Sequence, residues 1–214
     1  MSATRVVIFA KAPVPGQVKT RLIPALGAAG AASLARYLLN RTLYKVQAAA
    51  VGPVELCMSP GADGPEWGRI DLPLGVLTSE QGEGDLGARM ARAAWRVLAS
   101  GERVLLIGAD CPALSERHLH SAARALDDHD AVLHPALDGG YVLLGLRAFH
   151  PWLFDDMPWS TRTVAGLTLA RLRTLDWRVR LGETLPDIDE PTDLAHLPAE
   201  LGIAPFCPLP EVQP

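Results

Sequence analysis

Short apolar runs alternate with stretches whose apolar residues recur at helical spacing. Val6, Val7, Ile8 and Phe9 form an unbroken β-prone run, which predicts a short buried strand at Arg5–Ala10. Ala32, Ala35, Leu39, Leu43, Val46 and Ala50 then recur every three or four positions, predicting a helix from about 31 to 50 that Gly52 and Pro53 terminate. Strands follow at Val54–Met58 and Gly75–Thr78, separated by a Gly- and Pro-rich connection with room for one helical turn. A helix from Asp85 to Ala99 places Met90, Ala94 and Val97 on one side, and Arg103–Gly108 carries the strongest strand pattern. Ser115 is suited to cap a helix through Ala125. The runs Asp130–Pro135 and Tyr141–Leu146 are joined by too few residues for a crossover helix, so they form a hairpin or lie in different parts of the sheet. Thr161–Leu175 reads as a helix, Trp177–Leu181 as the last strand, and Pro191 as the start of a short helix ending near Leu197. Strand and helix thus alternate, as in a three-layer α/β/α domain built on a mixed, mostly parallel sheet. That single domain is expected over residues 1–197. Pro198, Pro205, Pro208, Pro210 and Pro214 make residues 198–214 an extended tail lying on or leaving the body.

Composition narrows the class of partner. The 214 residues are 49% hydrophobic and 21% charged, without an apolar run near the length of a membrane span, so neither a span nor wholesale disorder is expected. A net charge of −4 with no basic block leaves generic nucleic-acid binding without an electrostatic footprint and favours small-molecule partners. Cys57, Cys111 and Cys207 are an odd, scattered set, expected to be reduced thiols. Met1–Arg5 lacks the basic start of a secretory signal, so a cytoplasmic location is expected. The histidines show no metal-pair spacing. Lysine is rare: Lys11 and Lys19 fall in one loop, and Lys45 is the third.

Four segments that follow strands carry candidate chemistry, since open parallel sheets collect ligands beyond the carboxyl ends of their strands. In Phe9–Leu22, Gly16 permits close backbone approach, while Lys11, Lys19 and Arg21 are cations suited to a diphosphate; the Walker spacing is absent. Asp110, directly after the strongest strand, either binds Mg²⁺ or Mn²⁺ or turns the chain into the next helix. Asp187 and Asp189 point the same way if extended, so one of them can complete a metal site begun by Asp110; otherwise they belong to a plain acidic loop. In the loop Gln81–Met90, Gln81 and Gly84 can approach a base or ribose, and Asp85 either caps the helix or holds a hydroxyl. The turn Asp138-Gly139-Gly140-Tyr141 serves a hairpin or an acceptor, and Asp138 is the nominee for a base. Trp159-Ser160-Thr161 reads as a helix cap with an aromatic anchor or, alternatively, as part of an acceptor site.

Together FAKAPVPGQVKTRL, GEGDLGARM, GADCP, LDGGYVLLG, PWST and DIDEPTDL resemble, in order from residue 6 to about 197, a bacterial glycosyltransferase-like family with the GT-A, or nucleotide-diphospho-sugar transferase, fold. Some of its members are associated with arsenosugar biosynthesis. A more distant similarity is to molybdenum-cofactor guanylyltransferase and 2-phospholactate guanylyltransferase, whose first loop looks like Lys11–Arg21, whose metal aspartate looks like Asp110 and whose late ligand looks like Asp189. This chain departs from them in having a Pro-Val-Pro-Gly loop in place of a Gly-Gly run, and no Asp-x-Asp at the metal position. The resemblance implies a metal-dependent transferase. In the leading form Asp110, with Asp189 or Asp187, holds the ion on a nucleotide sugar's diphosphate while Lys19 and Arg21 offset leaving-group charge. The alternatives are nucleotidyl transfer from a nucleoside triphosphate to a phosphorylated acceptor, and a catalytically silent nucleotide-binding protein.

Overall fold

The computed structural model of the protein describes residues 3–62, 64–198 and 206. The strands are β1 (Thr4–Lys11), β2 (Val54–Ser59), β3 (Leu77–Glu80), β4 (Arg103–Gly108), β5 (Ala131–Pro135), β6 (Tyr141–Leu146) and β7 (Val179–Leu181). The helices are α1 (Ile23–Ala49), α2 (Leu86–Ala99), α3 (Glu116–Ala125) and α4 (Val164–Thr174). All seven strands join one sheet in the order β3-β2-β1-β4-β6-β5-β7. β6 pairs antiparallel with both β4 and β5, and the other pairings are parallel. The fold is therefore the mixed α/β/α sandwich that the sequence predicts, and β5 and β6 form the hairpin.

Alternation of side chains along the strands divides the core between two layers. Val6 and Ile8 of β1, with Leu105 and Ile107 of β4, face α1 and α3, where they meet Leu39, Leu43 and Leu119. Val7, with Val104 and Leu106, faces the opposite side, against Met90, Ala94 and Val97 of α2 and Leu172 of α4. A central strand covered on both faces needs apolar residues at every position, which is why β1 and β4 read as continuous runs rather than alternating ones.

Helix α1 begins at Ile23, well before the predicted start at 31. Pro24 fits the first turn, but Gly27 leaves helical geometry (φ 69°, ψ 166°), so the apolar register is broken there and periodicity detects only the later part. Leu22, Leu26, Leu34 and Leu38 form a separate cluster with Ile188 and Phe206. A side chain at Gly30 would meet the Phe206 carbonyl oxygen at 1.9 Å, so glycine permits that return of the chain onto α1. The rest of the proline-rich segment, 199–205 and 207–214, lies outside the described residues. By length and hydropathy the stretch Thr20–Ala49 would suit a bilayer, yet Leu26, Leu34, Leu38, Leu39, Leu43 and Val46 are buried within the domain. Its apolar face is accounted for by packing. Lys45, on the same helix, donates to the carbonyls of Pro112 (2.8 Å) and Leu114 (2.5 Å) and so holds the chain leaving β4.

One charge lies inside. Glu55 of β2 is 1% exposed and accepts from Arg5 (3.1 Å), Arg96 of α2 (2.5 and 3.0 Å) and Ser79 of β3 (2.6 Å), tying three strands to a helix. Burial alone would raise its pKa, but the bonds from Arg96, Ser79 and Arg5 outweigh burial and hold it below the ordinary carboxylate range. A depressed carboxylate stabilises the fold above its unfolded pKa, and that contribution is lost as pH falls through the folded value. Glu55→Gln is expected to cost about 3 kcal/mol in urea denaturation at pH 7. The gap from wild type should narrow below about pH 4.

Candidate active site

β1 delivers Lys11 at its carboxyl end, and the loop beyond is fixed by backbone bonds from Ala12 to Ser59 (2.8 Å) and from Gln17 to Val14 (3.0 Å). Gly16 takes φ 79° in open space, so its role there is conformational. The loop ends at Lys19, which adopts left-handed geometry (φ 48°, ψ 43°), a conformation that costs a non-glycine residue about 1 kcal/mol. What that geometry delivers is an ammonium group in the middle of a carboxylate cluster. Lys19 Nζ donates to Asp110 Oδ2 at 2.9 Å and lies 3.6 Å from Asp189 Oδ1, with its side chain only 9% exposed. Arg21, in the 3-10 turn Thr20–Leu22, adds a 2.6 Å bond from Nη1 to Asp189 Oδ2.

Asp110 follows β4, and the Asp187–Asp189 segment is brought to it by backbone. Leu185 bridges Ala136, extending the parallel pairing at the β5 edge; Ile188 N–H donates to the Asp110 carbonyl (3.0 Å), and the Cys111 thiol donates to the Pro186 carbonyl (3.2 Å). Ile188 is fully buried, so its neighbours Asp187 and Asp189 both face the site, the placement an extended segment predicts. Burial lowers an amine's pKa, but Asp110, and then Asp189 and Asp187, outweigh it at Lys19 and raise its pKa. At Asp110 burial is likewise outweighed, this time by Lys19, and the carboxyl is held below its ordinary range. Asp187 shows the opposite balance. Burial, together with the charges of Asp110 and Asp138, pushes it up to about 6.

Two clefts meet at this cluster. The larger, about 350 Å³, has Asp110, Asp138, Asp187 and Asp189 on its polar side and Phe9, Met90, Tyr141, Trp159 and other apolar residues on the rest. The smaller, about 190 Å³, is lined by Lys11, Val18, Lys19, Ala35 and Leu38. Asp110 and Asp189 line both. Lys11 is exposed and makes no ion pair with the described residues.

In the glycine-rich loop before α2 the structure takes the capping alternative at Asp85 and turns Gln81 onto backbone. Gln81 is buried and its amide nitrogen donates to the carbonyls of Ala10 and Cys57, both at 3.0 Å, so it clamps β1 to β2 and is turned away from ligand space. Asp85 is the cap of α2, accepting from Ala88 N–H at 2.8 Å. Gly84 takes φ 98°, and its carbonyl accepts from Arg89 at 2.9 Å. None of these three lines either cleft. Asp138 Oδ1 accepts from Gly140 N–H at 2.8 Å, which fixes the hairpin turn, and the residue still lines the larger cleft.

Sequence reasoning offers Tyr141 and Trp159 as alternatives for an acceptor site but misses Phe9 and Met90 as part of the same wall. Phe9 and Met90 are ordinary core-forming residues in the sequence, and only the tertiary fold aligns them with Tyr141 and Trp159. One signal was present: at Gly87 an added side chain would meet the Phe154 carbonyl at 2.5 Å and Trp159 Nε1 at 2.7 Å, so that glycine marks where the Trp159 segment packs on α2. His118, His134 and His150 serve packing and capping. His118 closes a capping box with Ser115, and its ring meets that of His134 at 5.4 Å. Cys57 and Cys111 are buried free thiols, and burial pushes Cys111 up to about 11, which leaves it inert. Cys207 lies outside the described residues.

Among the described residues no three Asp, Glu, His or Cys side chains are gathered closely enough to hold a metal alone. Asp110 and Asp189, both within ion-pair distance of Lys19, are two carboxylates of the kind with which Mg²⁺ can be held when phosphate oxygens complete its shell. The raised pKa of Asp187 has a direct consequence in metal-free protein. The unfolded chain releases this proton near pH 4 and the folded chain near 6, so the group lowers stability as pH rises through that window. Asp187→Asn is expected to raise stability at pH 7.5 by about 1 kcal/mol, after allowing for solvent screening, and to leave it unchanged at pH 4; thermal melts at the two pH values check this.

Comparison with known proteins places the arrangement. No curated protein matches the chain. The crystal structure of a "putative nucleotide-diphospho-sugar transferase" from Desulfovibrio desulfuricans G20 superposes with a TM-score of 0.85 at 33% identity, covering 94% of this chain and 88% of that one. A 4-diphosphocytidyl-2C-methyl-D-erythritol synthase from Anaerococcus prevotii DSM 20548 gives 0.60 at 13% identity over 94% and 98%. Rv0371c from Mycobacterium tuberculosis H37Rv, in complex with manganese, gives 0.51 at 18% identity over 92% and 98%. The last two share the fold alone. Residues 42–161 match the model of a bacterial family, and with that match and the close superposition the chain belongs to the family described as "uncharacterized protein conserved in bacteria", DUF2064.

Proposed function

We propose that the protein is a metal-assisted transferase that moves a glycosyl group from a nucleotide-diphospho-sugar to a small-molecule acceptor. The observation that carries this reading is the Lys19–Asp110–Asp189 array standing on the wall between a lysine-lined cleft and a carboxylate-lined one. In this reading the donor's phosphates lie toward Lys11 and Lys19, and the acceptor enters the larger cleft. Asp110 and Asp189 would hold Mg²⁺ or Mn²⁺, whose chemistry is to neutralise charge on the diphosphate. Lys19 and Arg21 then stabilise negative charge as the bond from the anomeric carbon to the phosphate oxygen breaks and the nucleoside diphosphate leaves. The acceptor oxygen forms the new bond to that carbon, and its proton passes to Asp138, which is open on the same cleft. The 33% identity to a protein named for nucleotide-diphospho-sugar transfer supports the choice of donor.

A second reading, nucleotidyl transfer with release of pyrophosphate, is favoured by the fold shared with a cytidyl-transferring synthase. The products separate the two. Incubation with Mg²⁺ or Mn²⁺ and a panel of nucleotide sugars and nucleoside triphosphates is expected to release nucleoside diphosphate; pyrophosphate as the product would transfer the assignment to the second reading. Asp110→Ala is expected to abolish metal-dependent donor binding measured by calorimetry. Persistence of that binding would remove Asp110 from the metal site. Lys19→Ala should weaken nucleoside diphosphate binding about tenfold or more while changing nucleoside binding little, because a charged hydrogen bond to phosphate is lost.

A further inference from the structure

The larger cleft has a composition that restricts its occupant. Four carboxylates line it and no Lys, Arg or His does, although 20 of the protein's residues are Lys or Arg. Asp110 and Asp189 are offset by Lys19 and Arg21, but at Asp138 and Asp187 a phosphate ester would bring a charge of about −1.5 to −2 against like charge. Lys19 and Arg21 stand on Asp110 and Asp189, and neither of them lines this cleft. Asp187 has no ion-pair partner among the described residues, and Asp138 receives only the Gly140 N–H. Ionised carboxylates accept hydrogen bonds and donate none, so a ligand between these two must supply the donors.

Beyond the aspartates, Ser160 and Thr161, the lining is apolar and aromatic. Tyr141 and Trp159 stand edge to face with ring centroids 6.4 Å apart, and the Tyr141 hydroxyl is turned to Met90 Sδ (3.8 Å), which leaves the ring as its contribution to the cleft. Such a wall takes the flat apolar face of a sugar or an aromatic ring. The volume of about 350 Å³ suits a molecule of one or two rings.

We infer that the larger cleft takes a non-phosphorylated acceptor bearing hydroxyl or amino groups, seated with those groups on Asp138 and Asp187 and its apolar face on Tyr141 and Trp159. The inference rests on the transfer reading, in which this cleft receives the acceptor, and it also distinguishes this protein from transferases whose acceptors are phosphate esters.

The test uses full-length protein labelled with 5-fluorotryptophan, with the Trp159 resonance assigned from Trp159→Phe. Glucosamine and tyramine are each titrated against their own phosphate esters in the presence of Mg²⁺. The parent compounds are expected to shift the Trp159 signal with affinities about tenfold above those of the esters. In Asp138→Asn, whose amide oxygen can still accept from Gly140, the preference for the amines should shrink several-fold with folding intact. Esters that shift Trp159 as well as their parents do, or a Trp159 signal that none of the four compounds moves, would overturn the inference. Binding of nucleoside diphosphates to wild type and Lys19→Ala, measured on the same samples, reports separately on the donor site. A donor site that binds normally beside a failed acceptor test discards only the acceptor class, and a protein that binds no nucleotide discards the transfer reading itself.

Discussion

The site depends on one constraint: four aspartates converge where strand ends meet, and that concentration of negative charge must be offset. Lys19 supplies the first offset, inserted between Asp110 and Asp189 at the cost of a left-handed backbone. Strain of this kind persists where surrounding structure over-determines it, and here the fixed proline loop on one side and the following 3-10 turn on the other do so. Asp187 makes no ion pair among the described residues, and burial first, then the charges of Asp110 and Asp138, hold its pKa above the ordinary carboxylate range.

This uneven compensation gives the two clefts their different characters. The smaller cleft sets Lys11 and Lys19 beside Asp110 and Asp189; the larger adds Asp138 and Asp187, the hydroxyl residues Ser160 and Thr161, and an apolar wall. The arrangement also explains why the array is built on three separate segments. Asp110 comes from β4, Lys19 from the loop after β1 and Asp189 from the segment after β7, so the cluster forms only when the sheet is complete.

The fold supports the site through polar clamps that a composition-based view would assign to ligands. Gln81 joins β1 to β2 beneath the loop, Glu55 joins three strands to α2, and Lys45 ties α1 to the chain after β4. Each places a polar group under cover with its partners supplied, and Gln81 and Lys45 also fix the strand ends that carry Lys11 and Asp110.

Most of the architecture was legible in the sequence, because the period of apolar residues reports directly on burial. β4 and β6 match their predicted limits, α2 its predicted end, and the Ser115 cap is where its side-chain chemistry puts it. The early part of α1 was not legible, since Gly27 breaks the helical register that periodicity needs. At the site, residue type identified Lys19, Asp110 and Asp189, whose spacing after strands suits phosphate and metal chemistry, and the structure brings them within bonding distance. Residue type could not separate Gln81 and Asp85, which bind the protein's own backbone, from residues facing open cleft, because amides and carboxylates serve both purposes. Nor could it assemble Phe9, Met90, Tyr141 and Trp159 into one wall, since apolar residues look alike in a sequence and only the packing of β1, α2, β6 and the Trp159 segment decides which of them border empty space.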